Sequence, residues 1–128
     1  MLLLDTCALL WWTLEPGRLS PAATRACAAA AGKGIAASSI SVWEIGIKVR
    51  KKKLHLPLTF REYVERLGTL SRFELLPVTA RLWADSIELA WDNPDPADRV
   101  IVATAGLLGA PIVTKDALIR EFFADTVW

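Results

Sequence analysis

Four acidic residues occupy positions from which their carboxylates could act together: Asp5, Glu44, Asp98 and Asp116. Asp5 directly follows the apolar run Leu2–Leu4, and Asp116 comes just after a second apolar run, at 112–114. Glu44 and Asp98 lie near the starts of predicted helices. Because hard divalent cations prefer oxygen ligands, this set predicts a Mg²⁺ or Mn²⁺ site in which all four acids are metal-binding and catalytic.

Phosphodiester hydrolysis is the chemistry that such a site favours. The cation would polarise a phosphoryl oxygen, and one carboxylate would orient or deprotonate the attacking water. The two cysteines, Cys7 and Cys27, and the single histidine, His55, do not show the spacing of a zinc site or a disulfide framework. The glycines are scattered, which disfavours a phosphate-binding loop for nucleotides.

Alternation of short apolar runs with helical patterns predicts an α/β fold with a central, mostly parallel sheet of four to five strands flanked by helices. The predicted strands are Leu2–Leu4, 35–37, 74–78 and 112–114, with a fifth at the edge around Val127–Trp128. Ligands of open parallel sheets bind outside the carboxyl ends of the strands. All four acids are expected at that edge.

The helices that complete this pattern have recognisable starts. We expect helices from Thr6 to Thr13, from Pro21 to Gly32, from Ser41 to about Lys53, over 60–70, from Thr79 to Trp91, over 97–108 and after Asp116. Helix capping also offers an ordinary explanation of the acids. Glu44 stands three residues after Ser41, Asp98 three after Asp95, and Asp116 is a good N-cap. Their common location at one edge favours a site, since capping does not require it.

Positive and negative charges are nearly equal in number but unevenly distributed along the chain. The chain has 15 basic and 14 acidic residues, a net charge of +1, yet five of the basic residues fall within positions 48–53. Lys48 and Lys51 follow Glu44 by one and two helical turns, so a phosphate chain on that face would reach the acids. We therefore predict RNA contacts from Lys48, Arg50, Lys51 and Lys52, although such a run is more often a solvated helix end.

Length and hydropathy narrow the class of protein further. A chain of 128 residues with 53% hydrophobic residues is expected to form one domain, 1–128, around a packed core. Its most apolar stretch, 100–113, is shorter than the ~20 residues of a membrane span and contains Pro111. With no recognisable secretory signal, the sequence predicts a cytoplasmic protein without a membrane partner.

Four motifs in order resemble a PIN domain, most closely the VapC toxins of bacterial type II toxin–antitoxin systems. They are Leu3-Leu4-Asp5-Thr6 with the following Ala8-Leu9-Leu10-Trp11-Trp12, then Ser41-Val42-Trp43-Glu44-Ile45, Asp95-Pro96-Ala97-Asp98-Arg99, and Thr114-Lys115-Asp116. The resemblance implies a three-layer PIN-like fold, a divalent-metal-dependent endoribonuclease acting on a structured RNA such as tRNA, a homodimer and a VapB-like antitoxin.

Individual positions match the family's motifs. Its acidic quartet falls on Asp5, Glu44, Asp98 and Asp116, and its hydroxyl positions fall on Thr6 and Thr114, where they would orient the carboxylates. Arg99 matches the arginine that often follows the third acid, and we predict that it contacts RNA. Many relatives carry His at the position of Cys7, His or Arg within 92–94, and Phe in place of Ala97.

Two other functions are compatible with the same residues. One is a non-catalytic binding module of the same fold, whose carboxylates only cap helices. The other is a metal-dependent phosphatase or phosphoacceptor built around Asp5, for which Lys115 is the sole candidate to grip phosphate. The apolar N-terminal region around Trp11 and Trp12 is the predicted surface for a dimer mate or an antitoxin.

Overall fold

The computed structural model describes all residues from Met1 to Trp128 and contains one sheet of five parallel strands. The strands are β1 (Leu2–Leu4), β2 (Ile35–Ser38), β3 (Phe73–Leu76), β4 (Ile112–Val113) and β5 (Thr126–Val127). Their order across the sheet is β3-β2-β1-β4-β5. The predicted α/β class is confirmed, and the sheet is entirely parallel.

Seven helices accompany the sheet. They are α1 (Thr6–Leu14), α2 (Pro21–Ala30), α3 (Ser39–Arg50), α4 (Phe60–Leu67), α5 (Ala80–Glu88), α6 (Pro96–Leu108) and α7 (Ala117–Phe122), with a short 3₁₀ turn at Pro16–Arg18. None of them combines the length and the apolar composition needed to span a membrane.

The central strand β1 is fully buried, and its side chains alternate between two hydrophobic clusters. Leu4 packs with α1 and α3 residues such as Leu9 and Ile45. Leu3 points to the other face, where Val100 and Ile101 of α6 cover it. The sheet therefore lies between two helical layers, the three-layer arrangement predicted for this chain.

Register within the sheet brings distant parts of the chain together at its carboxyl edge. Leu4 lies opposite Ala37 of β2 on one side and Val113 of β4 on the other. The residues that follow, Asp5 and Thr114, consequently emerge side by side. Parallel pairing thus positions the first and last acidic motifs at one edge.

Two predicted helix starts are wrong by one to three residues. Asp5, not Thr6, is the N-cap of α1, since its side chain accepts a hydrogen bond from the Ala8 backbone N–H. The N-cap of α3 is Ser38 rather than Ser41, because Ser38 Oγ accepts from the Ile40 N–H. Glu44 therefore lies in the second turn of α3 and takes no part in capping it.

Candidate active site

A polar pocket of about 330 Å³ opens at the carboxyl edge of the sheet. Its lining includes the four predicted acids and two lysines: Asp5, Glu44, Lys48, Asp98, Lys115 and Asp116. The acids come from the ends of β1 and β4 and from α3 and α6, so four separate elements supply them. A larger cavity of about 400 Å³ lies elsewhere, between α1 and α4, and its lining has no acidic residue.

Asp5 is the most deeply placed of the acids, with only 7% of the residue exposed. Its Oδ1 accepts a hydrogen bond from the Ala8 backbone N–H at 2.8 Å, and its Oδ2 accepts from Thr114 Oγ1 at 2.5 Å. Burial raises the pKa of Asp5 to about 6, with smaller contributions from the negative charges of Asp116 and Glu44. The two hydrogen bonds act in the opposite direction.

Asp98 is half-buried on the first turn of α6. The side-chain amide of Asn93 donates to Asp98 Oδ2 at 3.0 Å, and Asp95 caps the helix by accepting from the Asp98 backbone N–H. Desolvation raises the pKa of Asp98 to about 6, and the nearby acids Asp95, Asp116 and Glu44 add to the increase. Since Asp95 performs the capping, the Asp98 carboxylate is left to face the pocket.

Glu44 and Asp116 complete the set. Glu44 faces Lys48 one turn along α3, with 4.0 Å between Oε2 and Nζ. Asp116 is the N-cap of α7, since its Oδ1 accepts from the Ile119 N–H at 3.0 Å. Its own backbone N–H donates to Thr114 Oγ1. Asp5 and Asp116 therefore each cap a helix and also line the pocket.

Comparison with known proteins identifies this arrangement of motifs. The profile of the PIN domain matches residues 2–122. The chain belongs to the PIN domain family. It is 34% identical over 120 residues to Ribonuclease VapC22 of Mycobacterium tuberculosis, covering 93% of this chain and 89% of that protein. The family resemblance seen in the four motifs is thus confirmed.

Two solved structures share the fold of this PIN domain. A toxin–antitoxin complex from Klebsiella pneumoniae contains a chain that is 20% identical, with a TM-score of 0.61 and coverage of 100% of this chain and 97% of that one. FitAcB from Neisseria gonorrhoeae is 24% identical, with a TM-score of 0.59 and coverage of 98% and 93%.

The donor chemistry of the pocket fits a hard divalent cation. Its acidic side chains offer oxygen ligands, and ionised Asp5 and Asp98, whose pKa values are raised, would be stabilised by a nearby positive charge. No three acidic, histidine or cysteine side chains stand close enough together to form a ready-made ligand cluster. Mg²⁺ commonly takes one or two carboxylates and keeps several waters, which this donor set can satisfy.

The two predicted hydroxyl positions behave differently in the PIN domain. Thr114 contacts Asp5 directly, as expected. Thr6 does not orient a carboxylate: its Oγ1 donates to Ser41 Oγ at 2.9 Å in a buried contact that joins α1 to α3. Thr6 still lines the pocket, but its hydroxyl is directed at Ser41, one turn before Glu44 on α3, rather than at a carboxylate.

Arg99 makes its contacts within the protein. The guanidinium donates hydrogen bonds to five backbone carbonyls, those of Ser86, Ile87, Leu89, Trp91 and Asn93. Because an arginine has five N–H donors, these contacts occupy the side chain. Arg99 does not line the pocket, and its donors are used within the protein. The structure therefore shows a structural role for Arg99, and its contact with RNA stays a prediction.

The basic run is divided between the pocket and the surface. Lys48 lines the pocket beside Glu44. Arg50, Lys51 and Lys52 are exposed where α3 ends, and none of the three lines the pocket. Only Lys48 is brought to the acids, and the other three extend a basic surface away from them.

The sequence patterns do not predict that Cys7, Trp11 and Asp95 line the pocket, or that Asn93 contacts Asp98. Lys115, named above only as the phosphate-gripping candidate of a phosphoacceptor, also lines the pocket. Asn93 lies in a segment whose composition indicates only a turn. Nothing in that composition indicates that its amide reaches Asp98. The position of Lys115 between Thr114 and Asp116 is the signal that it reaches the pocket.

Proposed function

We propose that this PIN domain is a Mg²⁺- or Mn²⁺-dependent endoribonuclease that acts as the toxin of a type II toxin–antitoxin system. The observation that carries the proposal is the convergence of Asp5, Glu44, Asp98 and Asp116, from four different elements, on one polar pocket. The 34% identity to a protein named Ribonuclease VapC22 supports the reaction and the substrate class. The proposed substrate is a structured RNA, such as a tRNA.

The four acids would hold the cation, one or two of them as direct ligands and the others through its bound waters. The cation would offset the charge that develops on the phosphate during hydrolysis. Asp5 is held in one orientation by Thr114 and by the Ala8 N–H, so it enters the reaction already positioned. Asp98 is fixed through Asn93 and faces the same pocket. One of these carboxylates would orient the attacking water and accept its proton.

Positive charge within the pocket would bind the RNA backbone. Lys48 and Lys115 line the pocket beside the acids and would contact the phosphates on either side of the scissile bond. The N-termini of α6 and α7 also open here, and their dipoles favour an anion. The exposed Arg50, Lys51 and Lys52 would extend the contact along the RNA.

Substitution of one acid tests the proposal directly. Expression of the wild type is expected to arrest growth and to produce new 5′ and 3′ ends in one class of cellular RNA, detected by end sequencing. Asp5→Asn should abolish both effects. Asp125→Asn is the matched control, since Asp125 is exposed and lies outside the pocket. Persistent cleavage by Asp5→Asn would refute the assignment of the site.

A binding module without catalysis is the competing function, and metal binding separates the two. The purified wild type should bind Mn²⁺ in calorimetric titration and should cleave total RNA only when the cation is present. A chain that releases no heat with Mn²⁺ and leaves RNA intact would be a binding module. Accumulation of a stable acyl phosphate on Asp5 would instead indicate a phosphoacceptor.

We propose an antitoxin of VapB type as the protein partner. A chain of the same fold was solved in a toxin–antitoxin complex from Klebsiella pneumoniae, which supports this partner. Co-expression of the reading frame adjacent to the gene should relieve the growth arrest and inhibit cleavage by the purified pair. Growth arrest that persists with either adjacent frame would contradict an antitoxin encoded beside the toxin.

We also propose a homodimer, formed through one face of α5. Ala80, Trp83, Ala84 and Ile87 are exposed and recur at helical spacing, with Ile87 75% exposed. An antiparallel pairing with a second copy would set the large residues against the small ones, beside the ion pair that Arg81 and Asp85 form within each copy. Trp11 and Trp12, around which the sequence predicts the surface for a dimer mate or an antitoxin, are instead half-buried: Trp11 packs against Trp128, and Trp12 against Phe73.

Molecular mass in solution tests the dimer. The wild type should elute as a dimer in size-exclusion chromatography with light scattering, and Ile87→Glu should elute as a monomer. Leu107→Glu, which changes another exposed apolar residue, on α6, should remain dimeric. Dissociation by the α6 variant rather than the α5 variant would contradict an interface on α5.

A further inference from the structure

The side chain of Arg99 organises the segment that leads into α6. Its Nε donates to the carbonyl of Ser86 at 2.8 Å, and its Nη2 donates to Ile87 and Leu89 at 3.1 and 2.9 Å. Its Nη1 donates to Trp91 at 2.5 Å and to Asn93 at 2.9 Å. One side chain on α6 therefore holds the end of α5 and the loop after it.

The same loop delivers the residue that holds Asp98. Asn93 is almost completely buried, and its two side-chain polar atoms are both used: Oδ1 accepts from the Asp95 backbone N–H, and Nδ2 donates to Asp98 Oδ2. Asp95 in turn accepts from the Asp98 N–H. Arg99 thus holds Asn93 through the Asn93 backbone carbonyl, while the Asn93 side-chain amide donates to Asp98.

We infer that Arg99 is a positioning residue that acts on Asp98 through Asn93. Asp98 and Arg99 are neighbours in sequence, but their side chains leave α6 in different directions. The connection between them runs through the 89–93 loop. Arg99 thereby fixes one oxygen of the Asp98 carboxylate and leaves the other available to a cation. This inference rests on the proposed metal site and adds a specific role that the family match does not assign.

Lysine could not perform this role. The five acceptors surround the guanidinium plane, and an ammonium group offers three donors from a single nitrogen. Arg99→Lys keeps the positive charge and most of the apolar stem, so it isolates the hydrogen-bond geometry. We expect Asn93 to lose its fixed position in this variant, and the cation affinity to fall about tenfold, as is usual for residues that orient metal ligands.

The test is a double-mutant cycle on Mn²⁺ affinity, measured by the electron paramagnetic resonance signal of free Mn²⁺. The variants are Arg99→Lys, Asn93→Ala and the double variant, with Arg61→Lys on the exposed surface of α4 as the matched control. Each single variant should weaken Mn²⁺ binding about tenfold. The double variant should be no weaker than Asn93→Ala alone, because Arg99 acts through Asn93.

Cleavage kinetics give a second readout. At limiting Mn²⁺, Arg99→Lys should lower kcat with an unchanged KM for RNA, and a higher Mn²⁺ concentration should restore kcat. Loss of thermal stability alone, with wild-type Mn²⁺ affinity in the folded variant, would overturn the inference, as would additive effects in the double variant. Should Arg99→Lys not fold, wild-type Mn²⁺ affinity in Asn93→Ala would overturn it.

These outcomes are distinct from a failure of the proposed function. A wild-type protein that neither binds Mn²⁺ nor cleaves RNA would refute the metal site and the inference together. A wild type that binds and cleaves, with variants that match it, would refute the role of Arg99 alone.

Discussion

Thr114 Oγ1 donates a hydrogen bond to Asp5 Oδ2 at 2.5 Å, across 109 positions of sequence. The same hydroxyl accepts from the Asp116 backbone N–H at 3.0 Å. One buried side chain therefore joins the ends of β1 and β4 and the start of α7. Two of the four acidic residues depend on it for their placement.

Removal of this hydroxyl should destabilise the protein. Thr114→Val keeps the shape but leaves Asp5 Oδ2 without its donor and the Asp116 N–H without its acceptor, at a cost of about 1–3 kcal/mol in the free energy of unfolding. The pKa of Asp5 should rise further, since the hydrogen bond favours the ionised form. Chemical denaturation measures the difference. Thr114→Ser retains the hydroxyl and should stay much closer to wild type, and equal stability of the Ser and Val variants would contradict the role.

Stability without metal should fall as the pH rises from about 4 to above 6. Burial raises the pKa of Asp5 from 3.8 to about 6, so the folded state holds a proton that the unfolded state has released. The difference corresponds to roughly 3 kcal/mol of destabilisation once the pH exceeds both pKa values. Denaturation with a chelator present, from about pH 4 to about pH 7.5, measures the slope. Asp5→Asn should reduce the slope of stability against pH to the contribution that Asp98 makes.

A divalent cation should reverse that destabilisation. Ligands that bind only the folded state stabilise it by RT ln(1 + L/Kd), where L is the free ligand concentration, which is about 2.7 kcal/mol when L is about 100 times Kd. Mn²⁺ should therefore raise the melting temperature of the wild type at about pH 7.5, and by much less at about pH 5, where protons compete for Asp5 and Asp98. Asp5→Asn should show little of the shift. A shift of equal size at both pH values would argue against these two carboxylates as ligands.

The basic end of α3 should contribute to RNA affinity through charge alone. Replacing Lys51 and Lys52 by Gln should weaken RNA binding and lower the slope of log affinity against log salt by about one for each phosphate that the variant no longer neutralises. Binding by a catalytically inactive variant over a range of salt concentrations measures that slope. The matched control removes two exposed charges elsewhere, Lys33→Gln with Arg61→Gln. Equal slopes for the two double variants would show that the end of α3 does not contact RNA.

Two glycines within helices should respond to alanine with opposite signs. A Cβ at Gly46 of α3 would lie 2.8 Å from Cζ of Phe60, whose ring packs against the core, whereas a Cβ at Gly106 of α6 would meet no atom within 4 Å. Gly46→Ala should therefore lower the free energy of unfolding by about 1 kcal/mol in spite of its better helix propensity. Gly106→Ala should raise it by roughly 0.5–1 kcal/mol. Thermal denaturation of both decides the comparison.

Local patterns in the sequence determined the order of elements and the edge at which the acids lie. Apolar runs such as Leu2–Leu4 indicated buried strands. Capping residues such as Thr59, which forms a capping box with Glu62, marked helix starts. Because parallel strands share one carboxyl edge, the position of Asp5 and Asp116 followed from the alternation of strands and helices.

Only the tertiary structure decided what each polar side chain contacts. Arg99 contacts five carbonyls between positions 86 and 93, and Thr6 contacts Ser41 on another helix. The direction in which a helical side chain leaves its axis, and the loop it meets, depend on packing between elements that sequence periodicity does not specify. Near neighbours such as Asp98 and Arg99 thus acquired different environments, one at the pocket and one beneath the loop that supports it.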